Sequence, residues 1–408
     1  MMMSASNPSR RIFAVAAGLF VIWGLALWLY NSLFFKFARF FALGPSEIAS
    51  TLAMFHIAYL LLAIPAVLFI RQFGFKLSVL AGLSVFGIGA FLLYLALIEH
   101  AAIFFLAAVF VISASGAWLD TALNPLAALG GDRSKLLQRM NLAHSFSGAG
   151  LFAACLIGVT VLGRDYVLSV NTTAQDTARP YVLVGLGAIL LAYLIEQITL
   201  PDAASKGTAK IAPRRESFAA EWRGVTGDRG FVFAAAALAA YCAVLTVLWT
   251  ANYKYVHTEL PGHVVPLIER GWLWFVLGRL SGTFAMRWID PLKLLACSAI
   301  GCIGAIAVAV IAGGESGWIA LVAASFFLAT TYPTLFGDAL GRHWERLATA
   351  AGLLVVAAAI GNAVSSLLSS FILDAAQWSP RLVIALALPF EAIVLAYALK
   401  AKPAATTE

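Results

Sequence analysis

Charge is scarce in this chain: Asp, Glu, Lys and Arg make up 12% of its 408 residues, roughly half the share of an ordinary soluble domain. With 62% of residues hydrophobic, a water-facing surface cannot be built, so the exterior must face lipid. Cysteine is sparse too. Cys155, Cys242, Cys297 and Cys302 are scattered through apolar runs, which suits small core residues and argues against a disulfide framework or a metal site. His-Glu-x-x-His, Gly-x-Ser-x-Gly and clustered Cys/His are all missing, so a membrane-embedded enzyme lacks its nucleophile or metal, and no cofactor is expected. The first apolar run is too long for a cleavable signal peptide.

What the chain has is repeated apolar runs long enough to cross a bilayer core. Twelve are legible, at 12–36, 47–70, 77–98, 102–130, 141–162, 181–200, 230–256, 265–286, 292–312, 317–341, 347–373 and 380–399. They do not alternate as barrel strands would, so an all-α membrane protein is expected. Gly278-x-x-x-Gly282 and Gly337-x-x-x-Gly341 are small-residue pairs of the kind that let membrane helices approach closely. The net charge of +7 is not a nucleic-acid footprint, because its distribution follows topology. Lys and Arg concentrate in the even-numbered loops and at the ends, from Arg10, Arg11, Arg71, Lys76, Arg133, Lys135 and Arg139 to Arg342, Arg346, Lys400 and Lys402. The other side carries few, among them Lys36, Arg39, Arg164 and Arg179. The positive-inside rule then puts both termini in the cytoplasm. A multi-pass protein of a bacterial inner membrane is expected, as a monomer in the lipid bilayer.

Residues 201–229 break the apolar pattern with a polar, basic stretch, which reads as a cytoplasmic linker between halves 1–200 and 230–408. Each half repeats the same punctuation. Asn124-Pro125 with Arg139 in the first half answers Tyr332-Pro333 with Arg346 in the second, and Arg71 answers Arg287. Two parallel six-helix halves joined by a cytoplasmic loop are the arrangement of the major facilitator fold, with a solute site near mid-membrane.

One residue dominates the functional reading. Asp120 lies deep in the fourth run, where a charged side chain costs about 2.5–3.5 kcal/mol on insertion scales. Burial favours the protonated form of a carboxylate, so an acid at such depth can take up and release a proton near neutrality. Ser113, Gly116, Asp120 and Asn124 share one helical face. Trp23 and Asn31 belong to a stripe on the first run, and Asn141, His144 and Ser145 to one on the fifth. The seventh run presents Trp249 and Asn252, the tenth Tyr332, and the eleventh Asn362. Amides, hydroxyls and aromatic planes suit a neutral polyhydroxy solute: the amides pair with its hydroxyls while the rings cover its C–H faces. Each of these polar residues could equally be helix–helix glue; His144 is open between an interhelical hydrogen bond and a cavity. Arg71, Lys76, Arg279 and Arg287 read as gating clamps at the cytoplasmic ends, Asp338 as a structural partner of Arg342, and Glu391 as structural or interfacial.

At these residues the sequence resembles the fucose–galactose–glucose:proton symporter family. The matching stretches are Ile22-Trp23-Gly24-Leu25-Ala26, Leu119-Asp120-Thr121-Ala122-Leu123-Asn124-Pro125 and Arg139-Met140-Asn141-Leu142-Ala143-His144. Gly278-Arg279-Leu280-Ser281-Gly282 and Tyr332-Pro333-Thr334 match in the second half. The resemblance implies uptake of a hexose or 6-deoxyhexose (L-fucose-like, glucose or galactose) together with a proton. It implies that Asp120 stands where the family has a Glu tied to protonation and sugar recognition, that Asn141 is a cavity amide, and that Trp23, Trp249 and Tyr332 flank the sugar pathway. Asn31 stands where the first helix of the fucose symporter carries an Asp implicated in coupling, so coupling here rests on Asp120 alone or is absent. The expected function is a sugar:proton symporter working by alternating access. An uncoupled sugar facilitator and a non-transporting sugar sensor are the alternatives.

Overall fold

The computed structural model describes residues 8–41, 45–161, 174–198, 216–260, 264–372 and 379–401. Arg164 and the basic linker residues Lys206, Lys210, Arg214 and Arg215 lie outside the described residues, as does the side chain of Asn31. The described elements are α-helices with two short 3-10 turns: α1 Pro8–Phe40, α2 Pro45–Ile98, α3 Ala102–Leu129, α4 Leu136–Val161, α5 Ala174–Glu196, α6 Phe218–Thr226 and α7 Arg229–Glu259. There follow α8 Val264–Ala285, α9 Pro291–Ala312, α10 Gly314–Leu328, α11 Thr331–Arg342, α12 Leu347–Ser370, α13 Pro380–Ala385 and α14 Ala387–Lys400. Among the described residues, seven helical stretches are long and apolar enough to cross a membrane. The chain is a membrane protein.

Three departures from the apolar runs have local causes. The expected spans 47–70 and 77–98 are two arms of α2, which turns at Gly74 with φ 85°. Glycine holds that backbone conformation without a Cβ clash, so no loop is needed. The expected run 317–341 is α10 and α11, parted at Ala329 and Thr330. Pro333 has no N–H to give to the carbonyl four residues back, so the helix opens there and leaves the Ala329 oxygen in need of a donor. In the linker, α6 is an element that polar composition concealed; the Ser217 Oγ caps it by accepting the Ala220 N–H at 3.2 Å, as N-cap serines do.

The chain forms two compact units. The first is Met1–Gly131, Ala149–Gly224 and Glu345–Val356; the second is Asp132–Gly148, Val225–Trp344 and Ala357–Glu408. In the first unit the second arm of α2 packs along α3. The Ser115 hydroxyl donates to the Gly82 carbonyl at 3.0 Å, and a Cβ on Gly82 would stand 2.7 Å from Leu119 Cδ2. In the second unit both glycines of Gly278-x-x-x-Gly282 are contact points. A Cβ would stand 2.2 Å from the Phe326 carbonyl oxygen at Gly278 and 2.2 Å from Thr330 Cγ2 at Gly282. The motif therefore seats α8 against the end of α10, as small-residue spacing predicts. Gly278→Ala is expected to cost about 1–3 kcal/mol, the usual penalty for overpacking a tight contact. Thermal unfolding in detergent checks this, with a matched Ala at exposed Gly304, where nothing lies within 4 Å, as the neutral reference.

Candidate functional site

In the first unit the polar face of α3 is built around Asp120. Asp120 is half-buried as a residue, and its carboxylate accepts a hydrogen bond from the Tyr59 hydroxyl of α2. One turn earlier, Gly116 has no side chain, and that space is occupied. A Cβ there would stand 2.5 Å from the Tyr59 Oη and 2.7 Å from Trp23 Cη2. Gly116 therefore admits an indole from α1 and a phenol from α2 to the turn of α3 before the acid. The rest of that face is used differently. The Asn124 Nδ2 donates to the Asp120 backbone carbonyl at 2.9 Å, and the Ser113 hydroxyl donates to the Val109 carbonyl at 2.6 Å. Both residues are buried.

The second unit holds a separate polar cluster where α4, α8 and the opening between α10 and α11 meet. Arg279 is buried and its guanidinium is divided among three acceptors. Its Nε donates to the Ala329 carbonyl at 3.0 Å, the oxygen that Pro333 leaves without a helical donor. Its Nη1 donates to the His144 carbonyl and to Ser147 Oγ, each at 3.1 Å. The Phe275 ring lies 4.6 Å from the guanidinium carbon, within cation–π range. The Asn141 Nδ2 donates to the Leu137 carbonyl and to Thr334 Oγ1, each at 2.9 Å, while its Oδ1 is buried with no partner among the described residues. Tyr332 is partly exposed, stacks on Phe336 at 5.5 Å and lies 5.4 Å from the His144 ring. Asn141, His144, Tyr332 and Arg279 thus come together.

Trp249 and Asn252 stand beside this cluster. The Trp249 ring meets Phe275 edge-on at 6.5 Å, and both residues line a cavity of about 20 Å³ with Leu321 and Ser325, room for a single water. The Asn252 Oδ1 is a second buried amide oxygen without a partner among the described residues. The Thr246 hydroxyl donates to Asn362 Oδ1 at 2.8 Å, and Asn362 remains partly exposed.

No family model matches the chain. Curated relatives and solved structures do. It is 26% identical over 403 residues to the L-fucose-proton symporter of Escherichia coli (strain K12), covering 94% of this chain and 91% of that protein. It is 26% identical over 360 residues to a glucose/galactose transporter of Brucella abortus, covering 88% and 86%. The E. coli fucose symporter, solved as a major facilitator superfamily transporter in its outward conformation, superposes with a TM-score of 0.82 at 24% identity, over 96% of this chain and 99% of that one. This chain has the major facilitator fold.

The four residues expected to be clamps fall at helix ends or between helices, and each has an identifiable partner. Arg71 on α2 ion-pairs with Glu221 of α6 and donates to the Glu216 carbonyl at 3.0 Å. Arg346 binds the Glu216 carboxylate at 2.9 Å and Thr349 binds Glu221 at 2.7 Å, so α6 is held from two sides. Lys76 donates to the Glu196 carbonyl at the end of α5, at 2.7 Å. Arg287 lies over Phe284 at 4.8 Å. Arg279 differs from these three, because it is internal and its partners are carbonyls and a hydroxyl. Asp338 and Arg342 form the expected pair at 3.0 Å, joined by the Tyr397 hydroxyl. Glu391 is fully buried rather than interfacial, and neither of its oxygens has a hydrogen-bond partner among the described residues.

Sequence reasoning missed Tyr59, Glu216 and Glu221. Tyr59 sits in an apolar run where a phenol looks like core, and its one available signal was chemical: a buried Tyr hydroxyl needs an acceptor. The two glutamates stand in or beside the linker helix, and two acids next to a basic run were the sign that α6 is tied down.

Proposed function

We propose that the protein imports a neutral hexose or 6-deoxyhexose together with a proton by alternating access. The observation that carries this reading is the setting of Asp120. A half-buried Asp on a membrane helix receives a phenol hydrogen bond on its carboxylate and has an indole one turn away. Protonation removes the cost of a charge at that depth, so the group can bias one conformational state over another. A proton drives sugar only if its binding shifts that equilibrium. The second cluster supports a neutral, hydroxyl-rich solute. The unpartnered amide oxygens of Asn141 and Asn252 can accept from hydroxyls, and Tyr332 and Trp249 offer flat apolar faces. Relatives named for L-fucose and for glucose/galactose support the same solute class. Asn362 and His144 complete the sugar-facing set in this proposal, and Asn31 does so from the first helix. Arg71, Lys76, Arg279 and Arg287 act as clamps that release between states. Six-helix halves 1–200 and 230–408 with both termini cytoplasmic, and a monomeric protein, belong to the same reading.

Uptake of labelled L-fucose, D-glucose and D-galactose into proteoliposomes tests it, with and without an inward proton gradient. Concentrative uptake of at least one sugar that requires the gradient is the expected outcome. Equal equilibration with and without a gradient would select the uncoupled facilitator, a reading that the non-titratable Asn31 favours. Binding without flux would make the protein a sensor.

A further inference from the structure

Residues at one end of α4 and α8 form a crevice of which the sugar and proton reading uses only Arg287, as a clamp. It encloses about 620 Å³, with exposed Lys135 and Arg287 at its rim and buried Arg139 in its lining. Its wall is apolar, with Leu142, Leu280 and Phe284 at 39%, 49% and 53% exposure. These apolar side chains are left uncovered by the described residues, a surface that suits acyl chains. Trp288, 71% exposed, meets Phe284 edge-on at 4.7 Å, and an aromatic pair beside Arg287 is typical of head-group depth. One carboxylate also lines the crevice. Asp132 is held below the usual carboxylate range by the Ser134 N–H that bonds to it, so it is ionised. It is also engaged, since its Oδ1 accepts from Ser134 N at 3.0 Å and its backbone carbonyl accepts from Arg139. Arg139 and Asp132 offset one another, and the exposed Lys135 and Arg287 leave the rim positive. An adjoining crevice of about 390 Å³ shares Lys135, Gln138 and Arg287. Both of its further carboxylates are engaged: Asp290 caps α9 by accepting from Leu292 N and Lys293 N, and Asp338 pairs with Arg342.

We propose that this crevice binds an anionic phospholipid, its phosphate between Lys135, Arg139 and Arg287 and an acyl chain along Leu142, Leu280 and Phe284. The chemistry asks for both parts. A basic pocket between membrane helices attracts an anionic head group, while the exposed leucines and Phe284 give nothing to a free anion. Gln138 fixes the floor, its Nε2 donating to the Thr283 carbonyl across α4 and α8 at 3.3 Å. A lipid in this place bridges the same two helices and favours the state in which they are joined.

The test measures lipid retained by the purified full chain, by native mass spectrometry and by titration with short-chain phosphatidylglycerol against phosphatidylcholine. Wild type is expected to prefer phosphatidylglycerol. With about a fivefold contribution from each cation near a membrane surface, Lys135→Gln with Arg287→Gln should weaken that binding about 30-fold and leave phosphatidylcholine unchanged. Leu280→Ser, which keeps every charge, should weaken it too. Equal retention by wild type and the double variant overturns the proposal. So does competition by glycerol phosphate at the concentration where short-chain phosphatidylglycerol competes, because the site would then serve a soluble anion. Both Lys135 and Arg287 are exposed, and matching thermal unfolding of the variants separates lost binding from lost folding. The readout does not depend on transport, so it stands or falls apart from the sugar reading.

Discussion

Asp120→Asn is expected to abolish concentrative uptake while sugar exchange between equal pools continues. The amide keeps the size of the side chain and can still pair with the Tyr59 hydroxyl, so the helix surface around Gly116 and Trp23 is preserved. What it loses is the proton. With position 120 no longer titratable, the two conformational states should cease to respond to the gradient, and the internal-to-external sugar ratio should fall to about one, the value set by solute alone. In the same vesicles wild type should exceed that ratio whenever the inside is more alkaline. Loss of exchange together with accumulation would show that Asp120 binds sugar or supports structure, and the coupling assignment would be wrong. Unchanged accumulation would move the proton to another group altogether.

Arg279 gives the second large effect, and its size depends on the replacement. Arg279→Lys is expected to unfold at a lower temperature than Arg279→Met, although lysine keeps the charge. The guanidinium reaches the Ala329 carbonyl, the His144 carbonyl and Ser147 at once because its donors form a rigid fork, which a compact ammonium cannot imitate. Lysine keeps the desolvation cost of a buried cation, several kcal/mol, and strands acceptors worth about 1–3 kcal/mol each. Methionine strands the same acceptors but removes the charge, so the two terms partly offset. Differential scanning fluorimetry of the three proteins decides it. If the Lys variant matches wild type, Arg279 serves as a point charge and the fork argument fails. Uptake should fall in both variants, since α8 is no longer pinned to α4 and to the opening before α11.

The run of apolar residues made the helices legible one by one, and Pro125, Pro333 and the recurring Arg positions made the two-fold repeat legible. Deep charge in an apolar run also announced itself, which is why Asp120, Asp338 with Arg342, and Glu391 could be singled out. Partners were a different matter. Asp338 was matched to Arg342 because they are four residues apart on one helix, whereas Tyr59 lies far along the chain from Asp120. Arg279 pairs with carbonyls, and every residue carries one, so no residue type could point to them.

Length, hydropathy and the placement of Lys and Arg therefore determined that this is a multi-helix membrane protein with an acid at depth, because transfer from water to lipid depends on composition along each segment. Only the tertiary structure decided that α2 turns at Gly74 without a loop, that α6 is gripped by Arg71 and Arg346, and that Gly116 opens the space which Trp23 and Tyr59 occupy beside Asp120. Those outcomes depend on which surfaces of distant helices meet at contact distance, and one side chain's fit into another's space is not written in either stretch of sequence alone.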